Sequence, residues 1–139
     1  MLLFGGALEA NLPEGYLDIS KYRQVPDNQE VFMNKDKTII IELLEKEGLT
    51  QFHFDALCQE NECKGEFSVT EHRTENRNGF ECEIEVGNGF QMLKGEKVDM
   101  QLAVMRFDQV DILLSVYKDS CIHQLLDTLV VKDWSIFSS

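Results

Sequence analysis

The sequence predicts an α+β fold, a single antiparallel β-sheet flanked by helices, and three patterns carry that reading. Phe80, Cys82, Ile84 and Val86 alternate with Glu81, Glu83 and Glu85, the two-residue period of a strand with one buried and one wet face. Val98, Met100, Leu102 and Val104 repeat the alternation. Ile122, Leu125, Leu126 and Leu129 fall at i, i+3, i+4 and i+7, the stripe of an amphipathic helix. With 139 residues, 43% of them hydrophobic and 27% charged, the chain has room for one domain (1–139) with a real core.

The elements follow in order. Residues 2–4 are apolar, Gly5-Gly6 permits a turn, and residues 7–12 alternate loosely until Pro13 interrupts them. Asp18 and Ser20 are competent N-caps for a short turn over 21–23. Pro26 pushes Val25 into an extended conformation, and Pro26-Asp27-Asn28 is turn chemistry. Residues 30–34 and 38–44 predict a hairpin joined through 34–37. The β-branched run Ile39-Ile40-Ile41 favours a strand, whereas Leu43-Leu44-Glu45-Lys46 is able to start a helix. After Gly48, residues 49–57 predict a short helix with Phe52 and Leu57 inward, and Phe54 as a further candidate. Asn78-Gly79 predicts the turn between a strand at 66–74 and the one at 80–86, and Gly87-Asn88-Gly89 predicts a second turn before 90–93. Residues 110–117 read as a strand, apolar around Ile112-Leu113-Leu114. Val130, Val131 and the tail 134–137 are expected to pack back on the body, with Trp134 as a core anchor.

Charge narrows the function. Thirteen Lys and Arg against 25 Asp and Glu leave a net charge of −12. Such a surface repels phosphate backbones and anionic lipid, so neither nucleic acid nor membrane is an expected partner, and a basic protein surface is. No stretch approaches the ~18 apolar residues of a membrane-spanning helix. The N-terminus has no secretory-signal pattern. Cys58, Cys63, Cys82 and Cys121 have no C-x-x-C spacing and the three histidines no ligand spacing, so reduced thiols and no metal site are expected, in cytoplasm or nucleus. Cys121 and His123, two apart on a helix, do not face each other. Glu81, Glu83 and Glu85 read as a solvated sheet surface. Phosphate-binding glycine motifs are missing. No enzymatic activity and no cofactor are expected.

One stretch, Arg23-Gln24-Val25-Pro26-Asp27-Asn28-Gln29-Glu30-Val31-Phe32, is denser in turn formers and charges than a simple connection requires. It fits a folded elbow and a presented recognition surface equally well. This stretch resembles the signature of the Mog-type family of Ran-binding proteins, the Ran guanine nucleotide release factors. The likeness begins at Leu3-Phe4-Gly5-Gly6-Ala7, passes Pro13 and Asp18-Ile19-Ser20, and is strongest through 23–32. It continues through Ile40-Ile41-Glu42-Leu43-Leu44-Glu45, Arg106-Phe107 and Asp111-Ile112-Leu113-Leu114, and closes at Asp133-Trp134-Ser135-Ile136-Phe137. Residues 48–97 carry little of it.

The resemblance implies an α-β-α sandwich shared with an extrinsic subunit of photosystem II. It implies binding to the small GTPase Ran, promotion of guanine nucleotide release, and support of nuclear protein import by a monomer found in nucleus and cytoplasm. Acidic residues around the family's second strand map to Glu42 and Glu45, with Asp27, Glu30 and Asp18 in neighbouring matched segments. In a straight strand Glu42 and Glu45 point to opposite faces, so one shared surface requires a turn or helix near Leu43 or Leu44, and that break is expected. The connections after Phe32, after Glu45 and at 118–120 are shorter than is usual in the family, which bears on additional partners more than on Ran. The alternative is a non-catalytic scaffold or adaptor that keeps the fold and takes a different protein partner.

Overall fold

The computed structural model describes residues 1–77 and 79–137, the last two as backbone, and among them the chain forms ten strands and two α-helices. β1 (Leu2–Leu3), β2 (Leu8–Glu9) and, from the far end of the chain, β10 (Val130–Val131) make a three-stranded sheet ordered β1-β2-β10. This small sheet adds to the single sheet expected, because two-residue strands carry no periodicity. β3 (Leu17–Asp18), β4 (Gln29–Asn34), β5 (Lys37–Glu45), β6 (Lys64–Arg77), β7 (Phe80–Leu93), β8 (Glu96–Phe107) and β9 (Val110–Tyr117) build the main sheet. Its order is β3-β4-β5-β9-β8-β7-β6, antiparallel throughout.

Directly opposed residues share a face, so the register sorts the core into two layers. On one face Phe32, Ile39, Ile41, Ile84, Met105, Ile112 and Leu114 pack against Leu3, Leu8 and the helix α2 (Ile122–Thr128) through Ile122, Leu125 and Leu126. On the other, Met100, Leu102, Val104 and Leu113 pack against Phe54 of α1 (Thr50–Glu60). Helices on both faces give the expected sandwich.

Four sequence expectations change. α1 turns His53 and Phe54 inward, while Phe52 is 51% exposed. Hydropathy favours Phe52, but the inward position is open to a histidine because the sheet offers it a carboxylate. Second, Gly87-Asn88-Gly89 is no turn and lies inside β7, paired to both β6 and β8. A Cβ on Gly87 would stand 2.3 Å from the Phe67 ring and 2.6 Å from the Ser68 carbonyl oxygen, and one on Gly89 2.2 Å from the Glu66 oxygen. The glycines admit a close crossing of β6 and a ring laid over bare backbone. Gly87→Ala is therefore expected to lower stability by about 1–3 kcal/mol through overpacking, read from the urea midpoint.

Third, β5 runs unbroken through Glu45, with Leu43, Leu44 and Glu45 opposite Ile112, Asp111 and Val110 of β9. The break near Leu43 or Leu44 does not occur. Leu43 packs into one core layer and Leu44 into the other, a division that only strand parity provides. Fourth, the row Glu81, Glu83, Glu85 is not uniformly solvated, since Glu85 is buried beneath α1.

Other expectations fall partly outside the described residues. Asn78 is one. Its neighbour Gly79 has φ +86° and donates its N–H to Asn76 Oδ1 at 2.8 Å, closing the link from β6 to β7. Trp134 packs on Phe80 and Phe107, while the side chains of Ile136 and Phe137 lie outside the description. β6 forms one edge of the main sheet. Glu71, Arg73, Glu75 and Arg77 make a ladder of ion pairs along it, and a bulge between Val69 and Glu71 interrupts its register. Charges and bulges of this kind discourage edge-to-edge pairing.

Candidate functional site

The structure places the five candidate carboxylates on two faces and one turn. Asp18 Oδ1 accepts from the Ser20 N–H at 2.9 Å and the Ser20 hydroxyl at 2.7 Å, capping a 3-10 turn at Ile19–Lys21. Glu30 Oε1 accepts from the Phe4 N–H at 2.9 Å, tying β4 to the small sheet. Asp18 lies opposite Phe32 and Glu30 opposite Ile41, so both stand on the α2 face, as does Glu45 opposite Val110. Glu42 stands on the α1 face and accepts from Gln29 Nε2 at 2.8 Å. Asp27 sits exposed in the turn that Gln29 N–H closes onto the Pro26 carbonyl at 3.0 Å.

One shared face is therefore not available, but a shared margin is. The Asn28 carbonyl accepts from the Leu43 N–H at 2.9 Å and the Asn28 amide donates to the Leu43 carbonyl at 3.1 Å, extending the β4–β5 ladder to the tip. Asp27, Glu42 and Glu45 consequently lie at the same end of these two strands. Asp18 and Glu30 are engaged in local structure.

Beside this margin is a buried polar network that the sequence did not reveal. Asp111 is 0% exposed. It accepts from Arg106 Nε at 2.8 Å and Nη2 at 3.1 Å, from His53 Nε2 at 3.2 Å, and from the Glu47 N–H at 3.2 Å. Burial alone would raise its pKa. The hydrogen bonds from His53, Arg106 and the Glu47 backbone, with the Arg106 charge, outweigh that and hold it at about 2. The same partnership pushes the Arg106 guanidinium further toward its charged form, chiefly through the hydrogen bond to Asp111. Outward from Arg106 comes Glu83 at 4.0 Å, which accepts in turn from His72 Nε2 at 3.0 Å. Glu85 accepts from the Thr50 N–H at 3.2 Å and from its hydroxyl, capping α1 from the sheet where Leu49 offers no side-chain cap. Asp111 thus binds His53 of α1 and the Glu47 backbone, so the network anchors α1 and the 46–49 connection. Through that connection it also fixes where Glu45 and Lys46 stand.

A hollow of about 660 Å³ opens at the same end of the sheet, between the start of β7, the β8–β9 turn and the tail. Phe80 and Trp134 stack in its wall with centroids 4.0 Å apart, and Phe107 meets Trp134 edge-on at 5.2 Å. Glu81, Glu83, Asp108, Lys46 and Arg106 supply its charges. Val110, which also lines it, pairs with Glu45.

Fold and surface together define an acidic α+β sandwich whose polar margin lies at one end of the β4–β5 hairpin. The chain belongs to the Mog1 family, described as Ran-interacting Mog1 protein, whose pattern matches residues 1–119. It is 46% identical over 69 residues to the nuclear import protein mog1 of Schizosaccharomyces pombe, covering 43% of this chain and 36% of that one. It is 48% identical over 67 residues to the Ran guanine nucleotide release factor of Danio rerio, covering 42% and 37%. The matched segments thus span little more than a third of those relatives. The crystal structure of the Saccharomyces cerevisiae Ran-binding protein Mog1p superposes with a TM-score of 0.80 at 21% identity, covering 99% of this chain and 97% of that one. Cyanobacterial PsbP from Synechocystis superposes with a TM-score of 0.64 at 9% identity, covering 94% and 90%. Both likenesses are of fold.

Proposed function

We propose that this chain, acting as one monomeric domain, binds the small GTPase Ran, promotes release of its guanine nucleotide, and supports nuclear protein import from a pool shared by nucleus and cytoplasm. Membership of a Ran-interacting family carries the reading. The net charge of −12 and the margin of Asp27, Glu42 and Glu45 support it, because lysines and arginines on a GTPase suit such a surface. Asp18 and Glu30 contribute by shaping the β3–β4 surface that flanks that margin.

The mechanism is linkage and needs no catalytic group on this chain. A protein that binds nucleotide-free Ran more tightly than loaded Ran weakens nucleotide binding by the same factor. Release of a fluorescent guanine nucleotide from Ran, followed with and without this protein at two salt concentrations, tests the reading. Acceleration that fades with salt is the expected result. No acceleration, with no binding to loaded or nucleotide-free Ran, rejects it in favour of a scaffold with another partner.

The opposed faces of Glu42 and Glu45 sharpen the mutational test. A partner wrapped around the margin touches both, so each single reversal, Glu42→Lys or Glu45→Lys, should weaken Ran binding roughly tenfold, about 1.4 kcal/mol. The double reversal should weaken it further. Full affinity in the double variant, with an unchanged melting temperature, would overturn the assignment of this surface.

A further inference from the structure

We propose that the hollow beside Trp134 is a receptor for one arginine side chain presented by a protein partner. The inference rests on reading the chain as a partner-binding protein, and it names the group that a second part of its surface takes.

The aromatic wall comes first. Phe80 is 48% exposed, and Trp134 stacks on it with 25° between the ring planes. Phe107, almost fully buried, braces Trp134 edge-on at 77°. Phe80, backed by Trp134 in this way, is held in place and lines the hollow. A cation set over such a ring gains from the ring quadrupole, and a guanidinium adds plane-to-plane stacking.

The charges decide what stacks there. Arg106 is neutralised by Asp111 behind it, which leaves the carboxylates of Glu81, Glu83 and Asp108 against the one ammonium of Lys46. Glu83 is already shared by His72 and Arg106. Among the described residues neither Glu81 nor Asp108 is in an ion pair. Glu81 follows Phe80 in β7 and leaves the strand on its other face, while Asp108 comes from the β8–β9 turn, so the two reach the open end of the sheet from different sides. A planar fork with five donors can lie on Phe80 and still reach carboxylates from two directions, which a point-charged ammonium does less well. The neighbouring Glu45 makes the hollow continuous with the acidic margin.

Trp134 is the chain's one tryptophan and stands in the wall of this hollow, so its emission responds to what binds there. The experiment titrates the full chain with the blocked peptide acetyl-Gly-Arg-Gly-amide, and with the same peptide carrying citrulline, which keeps the shape and removes the charge. A saturable change in Trp134 emission with the arginine peptide is expected, at least tenfold weaker with citrulline. Glu81→Gln combined with Asp108→Asn should weaken the arginine response by a similar factor, and Phe80→Ala should abolish it. Equal responses to arginine and citrulline, or an unchanged arginine response in the folded Glu81→Gln, Asp108→Asn variant, would overturn the proposal. Nucleotide release from Ran is read separately on the same proteins. Release without an arginine response removes the hollow and spares the Ran reading; an arginine response without release does the reverse.

Discussion

Asp111→Asn is expected to destabilise the fold by about 3–5 kcal/mol, the cost of breaking a buried ion pair from one side. An amide is isosteric, so packing is preserved and the chemistry alone changes. Both Asp111 oxygens receive donors, one from Arg106 Nε and the other from Arg106 Nη2, His53 and the Glu47 N–H. An NH2 group in either position meets a donor, and the Arg106 guanidinium loses its counter-charge. Against a total stability of about 5–15 kcal/mol for an ordinary domain, that loss is severe. Part of it depends on pH. The folded pKa of about 2 lies below the ordinary value of 3.8, so ionised Asp111 contributes stability that is fully present above about pH 4 and is lost as the pH falls through 2. That part is worth about 2 kcal/mol. Urea unfolding of both proteins between pH 7 and pH 2 should show the gap narrowing below pH 4. A gap that stays constant over that range would mean that the loss comes from mismatched hydrogen bonds and not from the charge of Asp111.

Phe54→Ala should cost a comparable amount, about 3–5 kcal/mol, because a fully buried ring is replaced by a cavity. Phe54 is the deeply buried apolar side chain that α1 sends into the second core layer, where its ring stacks on Phe67 at 5.1 Å. A Cβ on Gly65 would stand 2.8 Å from Phe54 Cζ, so the strand is already shaped around the ring. Leu57 and Cys58 add partly buried apolar contacts to the same layer, and the polar attachments of α1 are His53 to Asp111 and Thr50 to Glu85. Phe54→Ala and Asp111→Asn both loosen the same helix, so their combined cost should fall short of the sum. Strict additivity in a double-mutant cycle would show that α1 is held at two independent points.

Strand parity and helix phase account for what was legible in the sequence. The alternations in β7 and β8 and the stripe of α2 are local properties, and they place the right residues in the core except Phe80, which is 48% exposed at the start of β7. The failures share a cause, which is that the deciding partner is remote. Gly87 and Gly89 look like turn residues until β6 brings Phe67 across them. Phe52 looks like the inward residue of α1 until Asp111, 58 positions after His53, is seen to accept from that histidine instead. At the candidate site, parity alone sends Glu42 and Glu45 to opposite faces. The expected break arose from asking for one surface, and what keeps the strand intact is its pairing with residues 110–112. The hollow joins Lys46, Phe80, Asp108 and Trp134, which no sequence window contains.

The strand order also has a kinetic meaning. β6 to β9 form a meander in which each strand pairs with the next in sequence through a short connection, and β4 and β5 form a separate hairpin. The two pieces meet only where β5 joins β9, which brings Glu45 to Val110 across about 65 residues. Closing so long a loop carries an entropic cost that local hairpins escape, so this docking step is expected to set the folding rate. Until it happens, β9 is an apolar edge with its backbone groups open, flanked by Ile112, Leu113 and Leu114. The native sheet guards its β6 edge with charges, but the nascent chain has no such guard on β9. Crowding of half-folded chains should therefore lead to aggregation through the strand that ends up at the centre of the sheet.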